Sequence, residues 1–94
     1  MDKHGYPTDD ELERVAKWDF KDKDGWFEYI NSLWSDTYGI FRCECDGELH
    51  RYELITGGWS GNESIIAAMT DNYVLWSLYW TESHRGGLYK FEVK

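Results

Sequence analysis

Three glycines surround one tryptophan in Thr56-Gly57-Gly58-Trp59-Ser60-Gly61-Asn62-Glu63, the part of this chain best suited to hold a ligand. Glycine removes the side-chain bulk that keeps a ligand from the backbone. The segment also runs into a helical pattern, whose first N–H groups attract anions. A site built this way would use Gly57, Gly58, Trp59, Ser60, Gly61 and Asn62. The amides of Gly61 and Asn62 would hold a phosphate or carboxylate while Trp59 stacks on a ring. The same residues also satisfy an ordinary folding rule. Ser60 and Glu63 have the Ser-x-x-Glu spacing of a capping box, which would satisfy these donors and leave Trp59 to fill the core. A capping box alone does not need the Gly57-Gly58 pair, so the ligand role stays open beside the structural one.

The turn Ser83-His84-Arg85-Gly86-Gly87 is the second candidate. Arg85 is the only Lys or Arg between Arg51 and Lys90, and its forked guanidinium suits a phosphate or carboxylate if this turn folds next to Trp59. As a plain loop residue it would be solvated. Metal binding has weaker support: Cys43, Cys45 and His50 fall on facing strands, with His84 or His4 as further donors, but Cys-x-Cys lacks the usual structural-zinc spacing. No metal or other cofactor is therefore expected. The two thiols point the same way about 7 Å apart along a strand, too far for an unstrained disulfide, so both are expected reduced and packed. Enzyme signatures are absent: there is no phosphate-loop lysine motif, no Gly-x-Ser-x-Gly elbow and no His-Glu-x-x-His helix. Ser60, His84 and Glu63 could be drawn as a triad, but residue types without geometry do not make one.

Charge suggests a different kind of function. The chain has 94 residues, 18 acidic against 10 basic, for a net charge of −8. That balance disfavours direct nucleic-acid binding and anionic membranes, and favours basic partners. Asp9, Asp10, Glu11, Glu13, Asp19, Asp22, Asp24 and Glu28 fall on or near two helical segments, and Asp9, Asp10, Glu13, Asp22 and Asp24 are the expected partner-binding set. Solubility alone would also account for such a surface. The start Met1-Asp2-Lys3-His4 has no apolar leader and no run approaches the ~20 apolar residues of a membrane span, which leads to the expectation of a cytoplasmic protein.

One small domain must position these groups, with 17 aromatic residues (six Trp, seven Tyr, four Phe) building a core from few positions. Thr8 and Glu11 form a capping box, predicting a helix with Leu12, Val15 and Ala16 inward that ends near Trp18. Asp24 is expected to cap a second helix with Trp26, Phe27, Ile30, Leu33 and Trp34 as its apolar stripe. Alternation from Tyr38 predicts a hairpin turning at Asp46-Gly47 in a type I′ turn, with Arg42 opposite Arg51 in a mixed-charge face. Phe41, Cys43, Tyr52 and Leu54 would face the helices. A third helix is expected from about Gly61 to Thr70, burying Ile65, Ile66 and Met69. Tyr73 to Thr81 reads as a central strand, with a buried helix as the competing assignment, and Leu88 to Val93 as the last strand. The fold expected is a single α+β domain over residues 1–94 in the order ααββαββ, with an antiparallel sheet covered by helices on one face. A free sheet edge offers a route to a homodimer.

Through Tyr6-Pro7-Thr8-Asp9-Asp10-Glu11-Leu12-Glu13, Thr56 to Glu63 and His84-Arg85-Gly86-Gly87, most of the chain resembles a group of small uncharacterised proteins of phages, prophages and other mobile elements. The resemblance brings no activity and no site residue. It implies a context in which small acidic proteins act as accessory or anti-defence factors, including anti-CRISPR proteins, that bind and inhibit a host protein or nucleoprotein complex. A sequestering protein for a nucleotide or other small anionic ligand, using residues 57–63 and Arg85, is the alternative from another class. An enzyme of unknown reaction is the third.

Overall fold

Thr8 opens the first helix as its spacing with Glu11 requires. In the computed structural model of the chain, which describes residues 1–94, the Thr8 hydroxyl accepts the Glu11 N–H at 3.2 Å and the Glu11 carboxylate accepts the Thr8 N–H at 2.9 Å. This helix, α1, spans Asp9–Ala16. Helix α2 spans Lys23–Leu33 and is capped by Asp22, not by Asp24: the Asp22 carboxylate accepts the Gly25 N–H at 3.1 Å. Gly25 permits that cap, because a Cβ there would fall 2.3 Å from the carboxylate. The expected stripe is buried in full, from Trp26 to Trp34.

Strands β1 (Ile40–Asp46) and β2 (Leu49–Ile55) form the hairpin, but its turn residues are Gly47 and Glu48. Only Gly47 has positive φ, at 64°, which fits a type II′ turn and excludes the expected type I′. The register shifts with the turn. Arg42 pairs with Glu53 and Glu44 with Arg51, so the two arginines expected to oppose each other each gain an acidic neighbour. Helix α3 then runs over Ser60–Asp71 and buries Ile65, Ile66 and Met69.

The largest departure lies at Tyr73–Thr81, which is not a central strand. Tyr73–Tyr79 is a fourth helix, α4, and strand β3 (Trp80–His84) follows it without a loop. Asn72 imposes the helix: its side-chain oxygen accepts the Leu75 N–H at 3.4 Å, while its amide donates to the Val15 and Trp18 carbonyls, each at 3.1 Å. Leu75 is buried, with Trp76 and Tyr79 partly so, a helical spacing of inward residues. Trp76 meets Phe91 edge-on at 5.4 Å and stacks on Trp80 at 5.9 Å.

With β4 (Leu88–Val93) the sheet is antiparallel throughout, in the order β1-β2-β4-β3. The α+β class and the order ααββαββ stand, with α4 inserted before β3. Leu54, Phe91 and Val93 are buried in the core, and Tyr52 stacks on Phe27 of α2 at 4.1 Å. Residues alternating with these, Arg51, Glu53, Lys90 and Glu92, form the expected mixed-charge face, with Arg51 beside Glu92 at 3.9 Å and Lys90 beside Glu82 at 3.7 Å. No helix is long and apolar enough to cross a membrane.

Candidate functional site

Thr56 is the point on which the glycine-rich segment converges. Its N–H donates to the Gly87 carbonyl at 3.0 Å, and its own carbonyl accepts from Trp59 N–H and from the Asn62 side chain, each at 3.3 Å. Asn62 is fully buried on the first turn of α3. Its oxygen accepts the Ser35 N–H at 3.0 Å and its amide also donates to the Ser35 carbonyl at 3.4 Å, tying the loop after α2 to the start of α3.

The glycines let these strands of backbone touch. A Cβ on Gly57, at φ 66°, would lie 1.5 Å from the Tyr38 carbonyl oxygen; one on Gly39 would lie 2.2 Å from that of Ile55. At Gly87, φ 85°, it would fall 2.1 Å from the Thr56 hydroxyl. Gly58, at φ 76°, meets nothing and is required only by its backbone angle. Close approach is therefore real in this segment, and its beneficiary is the protein's own chain.

Trp59 is similarly engaged. Tyr38 stacks on its indole at a centroid distance of 5.1 Å and Tyr6 packs at 4.8 Å, tilted by 37°. The ring folds back over its own helix, where a Cβ on Gly61 would meet ring carbons at 2.4 Å. The expected Ser60–Glu63 capping box does not form. Trp59 itself holds the N-cap position, no side chain caps the helix, and Ser60 is the first helical residue. Gly61 and Asn62, whose amides were the expected anion donors, are both buried. Arg85 is exposed and forms no ion pair; the clamp at Gly87 brings its turn against Thr56. No hydrogen bond joins Ser60, Glu63 and His84, and His84 instead meets Glu82 at 2.9 Å.

The acidic set divides. Asp9, Asp10 and Glu13 are exposed, and their spacing places them on one side of α1. Asp9 and Asp10 have no cationic partner, whereas Glu13 pairs with Lys17 at 2.6 Å, which holds its carboxyl below the ordinary glutamate range. Asp22 is committed to its cap and Asp24 is exposed in the first turn of α2. Glu11 is drawn inward; partial burial raises its pKa, but hydrogen bonds from the N-terminal ammonium and Thr8 outweigh that and leave it lowered.

A third group gathers along the β1–β2 hairpin. Cys43 faces Tyr52 and Cys45 faces His50 across the β1–β2 ladder. The Cys45 Sγ lies 3.5 Å from His50 Nδ1, and the donor atoms of Cys43, Cys45 and His50 all fall within 4.8 Å of one another. His4 and His84 are not part of this cluster. Both thiols are free and exposed, contrary to the expectation that they pack, because β1 is an edge strand exposed along most of its length. Desolvation and the neighbouring Cys45 push the Cys43 thiol up, and burial beside Cys43 raises the Tyr52 phenol.

Sequence reasoning missed Tyr6, Ser35, Tyr38 and Gly39 as partners of the glycine segment. The adjacent Tyr38-Gly39 pair, before a strand, was the only local sign. Comparisons with protein-family models, curated proteins and solved structures find no match to this chain.

Proposed function

We propose that the protein is a non-enzymatic binding factor that engages a basic macromolecule through the acidic side of α1, as a phage-type accessory or anti-defence inhibitor would. The observation that carries this reading is the exposure of Asp9 and Asp10 without cationic partners, beside Glu13 on the same helix. Carboxylates free of internal partners lose nothing inside the protein when they meet a cationic surface, and they steer association with it. The rival small-ligand reading is weakened by the glycine segment, where Tyr6, Tyr38 and Gly61 already surround Trp59 and the Tyr38 backbone fills the space beside Gly57.

The test is capture of host proteins at rising salt, with the parent chain compared against Asp9→Lys, Asp10→Lys and Glu13→Lys combined, and against Arg85→Ala. The triple reversal should abolish capture of a basic partner while Arg85→Ala leaves it unchanged. Equal capture by the triple variant, shown to be folded, would refute the assignment to α1. A saturable nucleotide-induced stabilisation lost in Arg85→Ala would replace it with the small-ligand reading.

A further inference from the structure

We propose that Cys43, Cys45 and His50 form a three-ligand site for a thiophilic metal ion of the Zn2+ class. The cysteines leave the sheet on the same side because they are two residues apart on β1, and His50 reaches them as the cross-strand partner of Cys45. In a tetrahedral site, Zn–S of about 2.3 Å and Zn–N of about 2.0–2.1 Å set neighbouring donors roughly 3.5–3.8 Å apart. Cys45 Sγ and His50 Nδ1 already stand at 3.5 Å, and all three donors lie within 4.8 Å, so small side-chain rotations suffice to close the set.

Packing does not account for these residues. Free cysteine is among the most buried side chains in proteins, yet both thiols here are exposed on the edge strand β1. The hairpin fixes the spacing through backbone hydrogen bonds, so the donors are held together without metal. Two thiolates and an imidazole favour soft or borderline cations over Mg2+ or Ca2+, and three protein ligands leave the fourth tetrahedral position to water.

The experiment titrates the reduced full-length chain with Co2+ as a spectroscopic probe, then displaces it with Zn2+ against a chromophoric chelator. Expected are thiolate-to-cobalt charge-transfer absorption, the visible bands of tetrahedral cobalt, and one metal per chain. Loss of partners that merely support metal ligands costs about 10–100-fold in affinity, so Cys43→Ser, Cys45→Ser and His50→Ala should each weaken Zn2+ binding at least about tenfold. His4→Ala and His84→Ala should bind as the parent does. Cys45→Ser alters an exposed, nearly isosteric side chain and carries the test if His50→Ala fails to fold. Zn2+ should also raise the melting temperature of the parent and not of Cys45→Ser. An octahedral cobalt spectrum without thiolate absorption, or parental affinity in both serine variants, would overturn the site.

Discussion

Replacing Asn62 by alanine removes the one side chain that joins the loop after α2, the Thr56 turn and α3. Two of its three partners keep another donor: the Ser35 carbonyl still accepts Gly39 N–H at 3.0 Å, and the Thr56 carbonyl still accepts Trp59 N–H at 3.3 Å. Their lost bonds, at 3.3 and 3.4 Å, belong at the weak end, about 0.5 kcal/mol each. The Ser35 N–H has no other acceptor, and leaving it unpaired costs about 1–3 kcal/mol. Together Asn62→Ala should destabilise by about 2–4 kcal/mol, out of roughly 5–14 kcal/mol for a domain of this size. Urea unfolding followed by tryptophan fluorescence reads this directly, and the melting point should fall by roughly 10–25 °C. Asn62→Asp supplies an independent arm. Its oxygen can still accept from Ser35, but the second oxygen faces two carbonyls and must stay protonated, so its folded pKa rises above the unfolded value. That variant should be least impaired below about pH 3.9 and lose about 1.4 kcal/mol per pH unit as pH rises above it. A cost under about 1 kcal/mol for Asn62→Ala, or an Asn62→Asp penalty independent of pH, would refute the clamp.

Two further comparisons separate roles within the fold. Gly57→Ala should cost at least about 3 kcal/mol, since it adds a clash with the Tyr38 carbonyl to left-handed strain, whereas Gly58→Ala should cost only the strain, about 1–2 kcal/mol; paired denaturation curves distinguish them. Trp26→Phe should destabilise more than Trp34→Phe, because the Trp26 indole donates to the Val15 carbonyl at 2.9 Å while the buried Trp34 indole N–H has no partner. Equal losses in calorimetry would count against that difference.

The first two helices were legible in the sequence from the Thr8 capping box of α1 and the apolar stripe of α2, although the cap of α2 falls on Asp22 and not on Asp24. The class, the antiparallel sheet and the terminal strand followed from alternation. Tyr73–Tyr79 was not legible as a helix: every residue but Ser77 is apolar or aromatic, so no face announces itself, and β-favouring side chains are overruled by Asn72, whose anchors lie at Val15 and Trp18. The hairpin register turned on a one-residue choice of turn, although opposing Arg42 and Arg51 already argued against the rejected pairing. In the glycine segment, positive φ and close approach were readable from residue type, but whether ligand or backbone comes close depends on Tyr38, Gly39 and Gly87, which local spacing does not reveal.

β4 comes last in sequence and lies inside the sheet, between β2 and β3. Until β4 is in place only β1 and β2 can pair, and β3 has no neighbour to receive it. Gly87, which closes the Thr56 junction, directly precedes β4. Docking of one strand therefore completes sheet and junction together, and a chain in which it has yet to dock leaves Trp76 without Tyr89 and Phe91.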